Sequence, residues 1–470
     1  MDAIVPAVGC GTCALLAAQV ELLKEQVEQL RRQVAELQAR LDQNSSNSHK
    51  PPSSNPPWIK PPPKKPTGKR RGGQKGHQGH HRQRLPAERV DQYVHHYPER
   101  CRHCQAQLPR EASPNDPPSG WHQVAELPPT AAIITEHLAH ARTCPDCGRL
   151  TRASIPDDVR AHVIGPVLAA MMSYLAGRCH DGRRVVLEMV QDLFGVPLSL
   201  GSVANYEADM TAALAQAHDQ ALSAVQQAPV KNVDETGWKQ AGKRRWLWAA
   251  ATDTAACFAV QLKRTWGAAC DLLGKRGGKG IICSDRHWGY APLGVRRRQI
   301  CWAHLQRDFV KWSDKGDKTR LLGDDGQAIC TGLFGLWWDF RQRRIDRRQL
   351  RRAMLAIRRR LRQVLNWGLG CGDKSAGNFC RNLLKLGPAL WTFARMEGVE
   401  PTNNHAERVL RPAVLWRKNS FGCSGEGGCR FVERMLSVVQ TLRLQGRGVL
   451  EFLTRTLTAH RAGLPLPQLV

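Results

Sequence analysis

The 470-residue sequence predicts a multidomain α/β protein. The expected order is an N-terminal coiled coil, a small zinc-binding domain, a helical (helix-turn-helix-like) domain, and an α/β core with an all-α insertion. Three observations carry this. Apolar residues run in heptads near the N-terminus, in strand-like runs between 230 and 304, and at helical spacing beyond 320. Two Cys-x-x-Cys pairs fall in one stretch. Lys and Arg total 69 against 41 Asp and Glu, a net charge of +28, which favours a polyanionic partner, nucleic acid above all.

Composition also excludes classes. No run of about 18 apolar residues exists, so no transmembrane helix and no membrane partner are expected. Met1-Asp2-Ala3-Ile4 lacks a basic region of the secretory kind. Sixteen Cys is too few for a disulfide scaffold in a chain of this length. The cysteines are therefore expected as reduced thiols or metal ligands in the cytoplasm.

Residues 14–43 read as a leucine-zipper-like coiled coil. Val20, Leu23, Val27, Leu30, Val34, Leu37 and Leu41 alternate at spacings of three and four. Val at a and Leu at d favour a parallel two-stranded coil and hence self-association. Residues 44–84 form a polar, Pro-rich and then basic linker that cannot bury enough apolar area to order itself. Its Lys69, Arg70, Arg71 and Lys75 are candidates for an arm along DNA phosphates, the alternative being a solvated linker.

Residues 85–155 carry Cys101-x-x-Cys104 and Cys144-x-x-Cys147. Two such knuckles supply the four thiolates of a tetrahedral zinc site, with no open position, so the Zn²⁺ is expected to be structural. Positions 105–143 separate the pairs, a longer insert than the usual spacing of about 15–20. Cys10-x-x-Cys13 is solitary and reads as incidental thiols. Residues 157–227 are helical, and Val185–Phe194, a Gly/Pro turn and a Ser199-started helix suggest a helix-turn-helix. Met210–Gln226 reads as one connecting helix.

From 228 to 312 the pattern becomes mixed α/β. Val230–Asp234 and Gly280–Asp285 read as strands ending in an acid, with two further strands between them and a fifth strand or a strand-to-helix junction at Gln299–His304. Residues 313–398 are helical and very basic, with Arg341–Arg352 and Arg358–Arg362 on faces suited to phosphate. Residues 399–445 hold a helix opened by Asn403-Asn404-His405-Ala406-Glu407 and a second apolar helix. Residues 446–470 form a tail with one short helix.

Asp234, Asp285 and Glu407 stand out because strand ends and a helix start can bring carboxylates to one point. Such hard oxygen donors suit Mg²⁺ or Mn²⁺, and paired ions can serve phosphodiester chemistry. Glu235 follows Asp234 and points to the other face of a regular strand, which makes it the fallback ligand. Arg408, Arg411, Arg417 and Lys418 are candidates for DNA phosphates. Trp238 reads as core, and Cys301-x-x-His304 as core packing over metal binding.

Several blocks resemble the IS66 insertion-sequence family of DDE transposases. They are Val233-Asp234-Glu235-Thr236-Gly237-Trp238, Ser284-Asp285 with Tyr290, Cys301-Trp302-Ala303-His304-Leu305-Gln306-Arg307-Asp308, and Thr402-Asn403-Asn404-His405-Ala406-Glu407-Arg408. The zipper, the Gly73-Gln74-Lys75-Gly76 run and the knuckles follow the same order as in that family. The resemblance implies an RNase H-like catalytic core, split by the helical insertion. It also implies Asp234, Asp285 and Glu407 as the catalytic triad on two Mg²⁺ or Mn²⁺ ions, cutting transposon ends and joining the 3′-OH to target DNA. Accessory proteins of the same element are implied as partners. The alternatives are a dimeric zinc-containing DNA-binding regulator with an inactive core, and a nuclease without strand transfer.

Overall fold

The computed structural model describes residues 11–42, 83–109, 120–127 and 131–470. The basic linker with Lys69, Arg70, Arg71 and Lys75, and Cys10 of the solitary pair, lie outside the described residues. The chain divides into two compact units: Met1–Pro61, Thr135–Asp192 and Val196–Val470 in the larger, and Pro62–Ile134 with Leu193–Gly195 in the smaller.

Helix α1 (Gly11–Leu41) spans the heptads, and Val20, Leu23, Val27, Leu30, Val34 and Leu37 are all exposed on it. In the smaller unit, Cys101 opens a tight turn. Its N–H donates to the carbonyl of Ala106 (2.9 Å), and the Gln105 N–H donates back to the Cys101 carbonyl (3.0 Å). The larger unit repeats this turn between two short antiparallel strands, β1 (Ala141–Thr143) and β2 (Leu150–Arg152). There the Cys144 N–H meets the Arg149 carbonyl and the Gly148 N–H meets the Cys144 carbonyl, both at 2.9 Å. Gly148 (φ +68°) and Gln105 (φ +62°) occupy the same left-handed position.

The larger unit continues through α2 (Asp157–Arg160) and α3 (Pro166–Tyr174), which passes into a π turn at Leu175–Cys179 closed by His180 at φ +67°. Then come α4 (Arg183–Phe194) and α5 (Leu200–Ala213), whose Ser199 cap accepts the Ser202 N–H at 3.1 Å. The expected single helix over 210–226 is broken. Leu214 (ψ 2°) is fully buried between α5 and α6 (Ala215–Gln227), and the break lets Ala217, Ala221 and Val225 turn inward.

Five strands form one sheet in the order β5-β4-β3-β6-β7: β3 (Val230–Gln240), β4 (Lys243–Ala251), β5 (Ala256–Gln261), β6 (Ile281–Ser284) and β7 (Arg298–Ile300). The first three are antiparallel, and β6 and β7 run parallel to β3 and β6 in turn. Alternation sorts β4 cleanly. Leu247, Ala249 and Ala251 join a core with α13 (Asn404–Ser420), α14 (Glu426–Leu444) and α15 (Val449–Arg461). Trp248 and Ala250 face the opposite layer, with α7 (Trp266–Leu273) and Tyr290.

Between β7 and α13 lie α8 (Trp302–Asp314), α9 (Asp317–Arg341), α10 (Arg347–Leu369), α11 (Lys374–Lys385) and α12 (Thr392–Arg395). They build an apolar cluster of their own around Phe309, Leu322, Leu361 and Phe379. Two glycines set how closely α8 and α9 approach. A Cβ at Gly326 would stand 2.1 Å from Phe309 Cδ1, and one at Gly323 2.1 Å from the Ser313 nitrogen. Gly326→Ala is expected to lower stability by about 1–3 kcal/mol in denaturant unfolding. Gly335→Ala on the same helix meets nothing within 4 Å and is expected to stabilise by about 0.5–1 kcal/mol. Equal effects at both positions would refute the close crossing.

No helix among the described residues is long and apolar enough to cross a membrane.

A candidate metal centre at the strand ends

The parallel register of β3 and β6 pairs Val230 with Ile281, Lys231 with Ile282 and Asn232 with Cys283. Continued two residues, it sets Asp234, inside β3, level with Asp285, just past the end of β6. The third acid arrives from the helical layer. Asn403 precedes α13, fully buried, and its Nδ2 donates to the Val233 carbonyl (2.7 Å) while its N–H donates to Cys301 Sγ (3.1 Å). This clamp ties the start of α13 to β3 and to the end of β7, and Glu407 follows in the first turn.

The electrostatics show the convergence. Burial, and then the carboxylates of Glu235, Asp285 and Glu407, push Asp234 well above the ordinary carboxyl range. Burial also raises Glu407, with Arg307 drawing it back and Asp285 pushing it further up. Glu407 Oε1 is buried and makes no hydrogen bond among the described residues. His304 Nδ1 lies 3.5 Å away and Arg307 Nη2 3.7 Å away. Burial and Arg307 hold His304 low, at about 4, so its ring is neutral at pH 7. Carboxylates that repel one another around an unsatisfied oxygen fit a hard divalent cation such as Mg²⁺ or Mn²⁺.

Glu235 points to the opposite face, as strand alternation requires. Its side chain is fully buried, held by Arg264 Nε and by the Tyr290 hydroxyl (2.6 Å). Arg264 also reaches Asp285 Oδ2 (3.5 Å), and the His287 N–H donates to Asp285 Oδ1 (2.9 Å). Buried Arg298 donates to the Asp285 carbonyl (2.7 Å) and to Ser284 Oγ (3.2 Å), fixing the backbone beneath the acid. The fallback ligand of the sequence reading is thus committed to a second shell of hydrogen bonds.

Other expected residues distribute unevenly. Trp238 is core, with its Nε1 donating to Cys423 Sγ at 3.4 Å. Cys301 is core as expected. His304 departs from that expectation, because Cys301, His304 and Glu407 bring their ligand atoms within 4.8 Å of one another. None of the knuckle cysteines belongs to that group. In each knuckle, backbone amides lower the first thiol: those of Cys104 and His103 at Cys101, and those of Cys147 and Asp146 at Cys144. Arg408, Arg411 and Lys418 are exposed on α13. Arg417 is turned inward and tethers α13 to β3, its Nη1 donating to Thr236 Oγ1 and the Gly237 carbonyl, both at 2.8 Å. Its half-buried guanidinium is thus engaged by acceptors on β3.

The sequence reading missed Arg264, Arg298 and Arg307. Arg307 sat inside a quoted block, three residues after His304 on α8, but nothing marked its partner. Arg264 follows Lys263 and looks like any surface cation.

Fold and site together define an α/β protein with buried, electrostatically coupled carboxylates on and beside a mixed sheet. The chain belongs to the family described as "Transposase IS66 family", whose profile matches residues 183–430, slightly more than half of its length. Residues 11–83 match a "Family of unknown function (DUF6444)". The chain is also similar to "Uncharacterized protein y4qI" of Sinorhizobium fredii (strain NBRC 101917 / NGR234), 28% identical over 247 residues. That match spans 48% of this chain and 46% of the relative, so the chain covers about half the length of that protein.

Proposed function

We propose that this protein is a DDE-type transposase. It binds the ends of an insertion sequence, cleaves DNA using divalent metal ions on Asp234, Asp285 and Glu407, and joins the 3′-OH ends to target DNA. The observation that carries this reading is the β3/β6 register, which levels Asp234 with Asp285 beside a helix start bearing Glu407. Membership of the IS66 family supports the transposition. The strand order, a three-stranded antiparallel meander followed by two parallel strands on the side of the first, supports an RNase H-like core over 228–312 and 399–445. The intervening helices, over 313–398, are read as its insertion.

When bound, Mg²⁺ or Mn²⁺ would offset the charge that builds on the scissile phosphodiester. The protein's own groups do the positioning. Asn403 fixes the first turn of α13 to β3, which draws Glu407 toward Asp234. Glu235, Arg264 and Tyr290 hold Asp285 from behind. Arg307 orients Glu407 and partly offsets the burial that raises its carboxyl.

The exposed seam of α1 supports self-association. The Ser199-capped pair α4–α5 supports a helix-turn-helix reader within 157–227. The lowered Cys101 and Cys144 thiols support zinc binding by the Cys101-x-x-Cys104 and Cys144-x-x-Cys147 knuckles. Purified protein is expected to carry stoichiometric zinc that is lost in Cys104→Ser/Cys147→Ser; metal-free wild type would refute this.

The test is joining of a labelled 3′ end of the element to plasmid DNA in Mg²⁺. Cleavage with joining supports the transposase. Cleavage alone would make the protein a nuclease, and binding without cleavage would make it a regulator.

A further inference from the structure

A groove of about 650 Å³ opens on the other edge of α13, between that helix, the π turn after α3, and α14. Arg178, Arg408, Arg411 and Arg443 line it, and no carboxylate does. None of the four makes an ion pair among the described residues. Other arginines of the larger unit find acids: Arg183 with Glu207, Arg461 with Asp209, Arg286 with Asp308, Arg360 with Asp325. Four guanidinium groups around one concavity repel one another and raise the local potential, which selects a polyanion. Guanidinium groups are also suited to bidentate contact with phosphate.

Two further features mark the groove as built. Arg178 is presented by a π turn, a rare conformation that recurs at functional sites. The turn ends at His180 with φ +67°, locked by stacking on Trp416 at 4.8 Å between ring centres. Arg411 also follows Glu407 by one helical turn, about 6 Å along α13. The groove therefore begins next to the carboxylate centre.

We infer that this groove holds the sugar-phosphate backbone of the DNA strand that passes Glu407, with Arg178 and Arg443 completing a phosphate track begun by Arg408 and Arg411. The inference rests on the proposed function and adds the path of the substrate to it.

The experiment measures anisotropy of a fluorescein-labelled duplex of the element's end, bound by the full chain, from about 50 to 200 mM salt. Arg178→Gln/Arg443→Gln is expected to lower the slope of log affinity against log salt by about 2. Arg178→Lys/Arg443→Lys keeps both charges and is expected to retain the wild-type slope. Arg430→Gln/Arg455→Gln, which removes arginines paired with Glu426 and Glu451, is expected to change nothing. The exposed single variant Arg443→Gln, expected to lower the slope by about 1, serves if the double variant unfolds. A wild-type slope in the folded Gln variants would overturn the groove assignment alone. No binding of any duplex by the wild type would overturn it together with the proposed function.

Discussion

Asp234→Asn, Asp285→Asn and Glu407→Gln will each lower strand cleavage by about 10³-fold or more while end-binding affinity stays near wild type. The size follows from losing several kcal/mol of charge stabilisation at a phosphodiester, at about 1.4 kcal/mol per factor of ten. Binding survives because the cationic surfaces are untouched. Asp234 offers a sharper readout. Its carboxyl is destabilised by burial and by Glu235, Asp285 and Glu407. Asparagine removes that repulsion, so without divalent ions Asp234→Asn will melt at or above the wild-type temperature. Mg²⁺ will raise the melting temperature of the wild type and raise that of the variant less. A variant that cleaves normally would show that its carboxylate is not part of the centre. A wild type indifferent to Mg²⁺ would remove the metal reading altogether.

Replacing Glu235 will cost stability where replacing Asp234 does not, although the two residues are neighbours. Glu235→Leu strips Arg264 of its principal acid and leaves the fully buried Tyr290 hydroxyl without an acceptor. Breaking one side of a buried ion pair costs about 3–5 kcal/mol. Denaturant unfolding of the two single variants will therefore separate a framework acid from a working one. Freed Arg264 keeps only Asp285 nearby, 3.5 Å away, and will draw that carboxylate out of line, so cleavage falls even below the unfolding transition. Glu235→Gln, which still accepts one hydrogen bond, will be intermediate in stability and will keep the Mg²⁺ response. Wild-type stability in Glu235→Leu would refute the framework role.

The strands that place the site were legible as apolar runs bearing acids. β6 ends at Ser284, just before Asp285, as the pattern put it, but β3, read as Val230–Asp234, runs on to Gln240, so Asp234 lies inside the strand. Glu407 was legible from its position behind Asn403 and Asn404. The pairing of β3 with β6 was not, because register is a property of two distant segments. Arg264 and Arg298 were invisible for the same reason: a cation in sequence does not declare which acid it will meet. The hairpin of β1 and β2 escaped notice because three residues on either side of a knuckle are too few to show alternation. The break at Leu214 left no Gly or Pro to mark it; burial of one leucine decided it. Arg411 and Lys418 face outward, while Arg417 turns toward Thr236, a difference that only the fold shows.

The long run of helices between Asp285 and Glu407 also has a consequence for how the protein is made. Its apolar cluster is built from buried residues between Ile281 and Val399, all of which leave the ribosome before Glu407 does. At about 5–20 residues per second, a nascent chain spends roughly 6–24 s with two aspartates in place and no third acid. Over that interval the growing protein can fold its helices and bind phosphate while lacking the group that completes the centre. The proposed centre is thereby left incomplete until Glu407 has been made.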